Sequence, residues 1–127
     1  VYMENRTGLI RPFDFSGRVN RLQYFISTVG LAALLWSWGD LAFEIWNYFE
    51  KPFLEIIFKT LSVSLIILCL VSLCSVTVRR FHDLGKRWFF LPLLVFFPYT
   101  LYLLAILYGR PGEPQSNEYG PPVNVKT

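Results

Sequence analysis

The residues best suited to chemistry stand together in VTVRRFHDLGKRW, Val76–Trp88, where Arg79, Arg80, His82 and Asp83 follow a long apolar run. An imidazole beside a carboxylate can act as a pH-responsive pair, and neighbouring guanidiniums suit an anionic ligand. The remaining residues do little to complete a catalytic site. His82 is the only histidine, and both cysteines, Cys69 and Cys74, fall inside an apolar run. A zinc site needs three or four nitrogen or sulfur ligands, so no metal or other cofactor is implied. A Ser–His–Asp arrangement would need a positioned nucleophile, and no elbow motif supplies one. The cluster therefore reads first as the charged edge of a membrane segment. Its second reading is a set of ligand or lipid-headgroup contacts.

The elements that must position it are strongly apolar. Of the 127 residues, 54% are hydrophobic and 18% aromatic, above an ordinary soluble balance. Three runs lack Asp, Glu, Lys and Arg: Leu22–Gly39, Thr60–Val78 and Trp88–Gly109, of 18, 19 and 22 residues. As helices they would reach roughly 27 to 33 Å, which matches a hydrocarbon core of about 30 Å. A soluble chain this small has too little polar surface to cover three such runs. An all-α integral membrane protein with three transmembrane helices is expected, the third kinked near Pro98. A re-entrant third segment turning at Pro98 is the alternative, and it would bring the tail back to the starting face. The first run begins after 21 residues and two more follow, unlike a cleaved secretory signal. The net charge of +3 sits mostly at run edges, which points to membrane orientation and not to nucleic acid.

One membrane domain covers 1–127. Its expected parts are a cytoplasmic segment 1–21, helix 22–43, connector 44–52, helix 53–78, basic loop 79–87, helix 88–108 and a Gly/Pro-rich tail 109–127. Asn20 followed by Gln23 resembles a capping box, which starts the first helix near Arg21. Pro52 suits the first turn of the second helix, where Glu55 and Lys59 form an i,i+4 pair. In that helix Ser62, Cys69, Ser72 and Ser75 trace a narrow stripe of small residues, a candidate packing face within the chain or between copies. Asp40 and Glu44 share a helix face at the opposite end and read first as a solvated helix end, with an acidic ring in an oligomer as the alternative. With three crossings, eight basic residues (Arg6, Arg11, Arg18, Arg21, Arg79, Arg80, Lys86 and Arg87) share one side. Four (Lys51, Lys59, Arg110 and Lys126) share the other. Positive charge collects on the cytoplasmic side, so the N-terminus is expected inside.

Three short motifs carry a family resemblance. FDFSGRVNRLQYF, Phe13–Phe25, resembles an F-x-G-R-x-x-R-x-x-[FY] opening; RRFHDLGKRWFF, Arg79–Phe90, resembles an R-R-L-H-D segment before an aromatic helix start; and NEYGPP, Asn117–Pro122, resembles a closing N-x-Y-G-P. Together they resemble the YhaH/YhaI-like family of small bacterial inner-membrane proteins, domain of unknown function 805. The matching positions are Gly17, Arg18, Arg21, Arg79, Arg80, His82, Asp83, Asn117, Tyr119 and Gly120, with Phe81 in place of the commoner leucine. The resemblance implies a bacterial inner-membrane location and brings no activity with it.

The leading functional expectation is a non-enzymatic multi-pass protein in the lipid bilayer that self-associates as a homo-oligomer, as a pore or a ligand-responsive assembly. A second is an interaction module whose basic face, Arg18, Arg21, Arg79 and Arg80, binds anionic lipid or a partner. A third is a small transporter using His82 and Asp83.

Overall fold

The computed structural model describes residues 13–48 and 52–123. The charges at Arg6, Arg11, Lys51 and Lys126, on which part of the orientation argument rests, lie outside the described residues. Helix α1, Arg21–Trp46, starts at the capping box read from the sequence. The Asn20 side chain accepts from the Gln23 N–H at 2.8 Å, and the Gln23 side chain accepts in turn from the Asn20 N–H at 3.3 Å. Helix α2, Pro52–Asp83, opens on the proline and carries the Glu55–Lys59 pair at 2.5 Å. Lys59 also lies over the Trp46 ring, and Trp38 stacks on Phe58, so α1 and α2 run antiparallel.

α2 continues five residues past the expected end at 78. Of the basic loop expected at 79–87, residues 79–83 form the last turn of α2, where Arg79, Arg80, Phe81, His82 and Asp83 are all buried, and 84–87 form the turn that follows. The helix stops at a Schellman-type turn: Gly85 adopts φ +67°, its N–H donates to the His82 carbonyl, and the Lys86 N–H donates to Phe81. A left-handed φ favours glycine here, and the Glu113 side chain fills the space a Cβ would need.

The third apolar run does not form one helix. Trp88–Val95 is a 3-10 helix, the chain turns through Phe96–Pro98, and α3, Tyr99–Gly109, runs back. Among the described residues two helices, not three, are long and apolar enough to cross a membrane. Both ends of the third run lie at the C-terminal end of α2: Lys86 closes the α2 turn, and the Arg110 carbonyl accepts from Arg80. The expected three crossings with an external tail are therefore replaced by a short hairpin. Its outer surface is apolar, with Val95, Phe96, Phe97 and Tyr99 exposed around the turn. The kink expected at Pro98 falls at this turn. Because proline donates no backbone hydrogen bond, a helix is readily interrupted there.

The small core lies between the hairpin and one half of the helix pair. Val19, Tyr24, Val76, Phe81, Leu84, Leu103 and Leu107 pack together, and Tyr108 bridges to α1 through ring contacts with Tyr24 and Phe25. Elsewhere the long helices expose Leu34, Phe43, Ile57, Leu61 and Leu70, apolar surface suited to hydrocarbon. Single cysteines at Ser16, Asn47 and Ser116, probed in intact cells with an impermeant thiol reagent, should place Ser16 and Ser116 on one side and Asn47 on the other. Asn47 and Ser116 labelling together would mean that the hairpin is wrong.

Candidate functional site

The candidate site is built around the Asp83 carboxylate in the last turn of α2. Arg18 reaches it from the N-terminal segment, with Nε donating to Oδ1 at 3.0 Å and Nη2 lying 2.9 Å from the same oxygen. Arg80, one turn back on α2, donates from Nη1 to Oδ2. All three side chains are at most 3% exposed. Two cations face one anion, so the carboxylate alone cannot satisfy them.

Backbone carbonyls supply the rest. Arg18 also donates to the carbonyls of Asp83, Glu113, Gln115 and Gly120. Arg80 donates to Val19, to Leu107 and to Arg110. Leu107 and Arg110 end α3, whose last carbonyls lack partners within the helix, so Arg80 acts as a cationic cap delivered from another helix. The last carbonyls of α2 are served in the same way. The Val19 N–H donates to Arg79, the Glu113 N–H to Asp83, and Asn117 Nδ2 to His82 at 2.9 Å. Gly112 comes so close that a Cβ there would collide with the Asp83 carboxylate.

His82 faces the tail. Its ring stacks on Tyr119 with centroids 3.8 Å apart and planes within 1°, and Nδ1 lies 3.3 Å from the Gly17 carbonyl. The charge-free span of α2 ends at Val78, so His82 lies beyond it. Burial lowers its pKa from the ordinary imidazole value, against the opposing pull of the Gly17 carbonyl and Glu118. Tyr119 is held in place by an Asx turn, its N–H donating to Asn117 Oδ1 at 3.0 Å, beside the Asn117–Gly120 bridge.

A family profile described as Protein of unknown function (DUF805) matches residues 12–121, which takes in the whole cluster from Arg18 to Gly120. The chain belongs to the DUF805 family. No curated protein and no solved structure matches it.

In this DUF805 member the three sequence motifs meet at one place. Arg18, Arg80, His82, Asp83, Asn117, Tyr119 and Gly120 come together, although 65 residues separate Arg18 from Asp83 and 102 separate it from Gly120. The expected role of Arg18 and Arg80 as headgroup contacts does not fit their surroundings, since both guanidiniums are enclosed and hydrogen-bonded by the chain. Arg79 and Asp83 are also buried, while Arg21 is exposed. The small-residue stripe is used within the chain: Cys69, Ser72 and Ser75 are buried, and Ser75 donates to the Asp14 carbonyl. Asp40 and Glu44 are exposed on α1 and belong to a separate surface. Sequence reasoning missed the contribution of Leu107, Arg110, Glu113 and Gln115, because they take part mainly through backbone groups that any residue could supply, with the Glu113 carboxylate accepting in addition from Asn117.

Asp83→Ala leaves two buried guanidiniums without a counter-charge and should cost about 3–5 kcal/mol. The measurement is thermal unfolding in mild detergent, with faster proteolysis of the tail beyond Gly109 as the local readout. A second expectation concerns pH. Because folding depresses the His82 pKa, the unfolded chain binds the extra proton more readily. Its contribution to stability is present above the ordinary value of 6.5 and is lost as pH falls through the folded-state value. His82→Asn should flatten this acid limb of the stability–pH curve; an unchanged slope would exclude His82 as its source.

Proposed function

We propose that this DUF805 member is a non-enzymatic, multi-pass protein of the bacterial inner membrane that presents a basic rim to anionic lipid headgroups. The observation that carries this reading is the division of its cations. Arg18 and Arg80 are engaged by Asp83 and by carbonyls, whereas Arg21, Arg87 and Arg110 are exposed and Lys86 is half-buried around them. The exposed cations stand where α1 and α3 meet the surface and where α2 gives way to the hairpin. At that level each exposed Lys or Arg attracts an anionic leaflet with about 1 kcal/mol.

Charge also supports a cytoplasmic location for this face. The hairpin brings Arg110 to the side of Arg18, Arg21, Arg79, Arg80, Lys86 and Arg87, leaving Lys59 on the far half among the described residues. The asymmetry exceeds the one expected from three crossings, and the positive-inside tendency then sets the N-terminal segment and the tail in the cytoplasm.

The other readings lose support. Self-association through the stripe would need a face that the chain itself covers at Cys69, Ser72 and Ser75, which leaves only Ser62 part-exposed beside the groove. Transport through His82 and Asp83 would need a carboxylate free to exchange its partner, and Asp83 is enclosed by two arginines and Gly112. In mixed-lipid nanodiscs, the full chain should retain anionic lipid over zwitterionic lipid. Combined Arg21→Ala, Arg87→Ala and Arg110→Ala should reduce that preference by roughly fivefold per cation, with unchanged thermal stability. Undiminished preference in the triple variant would sink the proposal.

A further inference from the structure

The helices are unequally clothed along their length. On α1 the buried residues are Tyr24, Ser27, Thr28 and Leu31, all in its first half. On α2 they run from Cys69 to Asp83, all in its second half. Because the two helices are antiparallel, these halves lie side by side at the motif end. Residues 32–46 of α1 and 52–68 of α2 include no buried side chain.

The hairpin accounts for the difference. Its 3-10 helix of 8 residues rises about 16 Å at 2.0 Å per residue, and α3, with 11 residues, rises about 16 Å at 1.5 Å per residue. Each arm thus spans about half of a 30 Å hydrocarbon core. Every inter-element contact described for the hairpin falls in the motif half. Phe90 meets Phe81, Tyr108 meets Tyr24, Phe25 and Thr28, and Leu107 meets Arg80. In the far half α1 and α2 stand as a pair, with Trp38 on Phe58, beside an open apolar groove of about 720 Å³ lined by Ala42, Phe43, Phe58 and Val63.

We infer that the chain is a wedge across the bilayer, with four elements in the motif-side leaflet and two in the other, and that it concentrates where the motif-side leaflet is convex. An inclusion that displaces more lipid from one leaflet fits best where that leaflet is stretched, and interfacial insertions are curvature-sensitive for the same reason. The partner is the lipid surface itself, selected by shape. The inference rests on the membrane-spanning part of the proposed function and is independent of the headgroup preference.

The test uses the full chain at low surface density in giant vesicles of zwitterionic lipid only, so that charge plays no part. A Ser116→Cys label on the exposed tail identifies orientation; Cys69 and Cys74 lie within the span, out of reach of an impermeant dye. Narrow tubes are pulled from the vesicles, and protein density is compared between tube and flat membrane. Molecules with the tail outward should be enriched severalfold in the tube, and molecules with the tail inward should be depleted. Equal densities, or the same bias for both orientations, would overturn the wedge. A second copy seated in the far-half groove would even out the cross-section and give equal densities. Undiminished anionic-lipid preference in the triple arginine variant, which sinks the headgroup reading, would leave this sorting unchanged, so the two proposals fail separately.

Discussion

Asp83 must share one carboxylate between two guanidiniums in a place nearly closed to water, and much of the fold can be understood as what makes that tolerable. Removing charges from water is expensive, and mutual attraction repays the cost only where the remaining donors also find partners. The two arginines carry more donors than the carboxylate can accept. Their surplus goes to seven carbonyls, four for Arg18 and three for Arg80, drawn from the N-terminal segment, the end of α2, the end of α3 and the tail. The ion cluster therefore cannot form unless four separate stretches of chain arrive together.

The same requirement explains the ends of the helices. α2 and α3 both finish at this cluster, and each has terminal carbonyls to satisfy. Arg80 and Asn117 serve those carbonyls from outside their own helices, and Gly85 and Gly112 allow the backbone to come near enough. The hairpin is short for a related reason. Its two ends are tied to the base, while its turn at Phe96–Pro98 is apolar and exposed.

These constraints bear on function. A cluster of Arg, His and Asp invites a catalytic or ligand-binding interpretation, because such groups often have shifted pKa values at active sites. In this chain their hydrogen-bonding capacity is largely used by the fold, and the His82 ring is occupied by Tyr119 and the Gly17 carbonyl. Among the groups left exposed are the cations at the rim, Arg21, Arg87 and Arg110. The motif holds the shape, and the shape determines which charges and which apolar surfaces are left exposed.

Local physics was legible in the sequence. The capping box at Asn20–Gln23, the proline start at Pro52, the Glu55–Lys59 pair and the break at Pro98 all depend on residues within a few positions of one another. Composition alone indicated a membrane environment, since hydropathy needs no knowledge of contacts. The end of α2 was misread because a run of charged residues looks like a solvated loop until a partner 65 residues away neutralises it. The third run reads first as a crossing, with the re-entrant course as the alternative, because 22 apolar residues suit either. Pairing Arg18 with Asp83, and α3 with Arg80, is a relation between distant residues, and backbone carbonyls carry no mark in the sequence. Only the tertiary structure decides which donors and acceptors meet, and that choice returned the tail to the motif face.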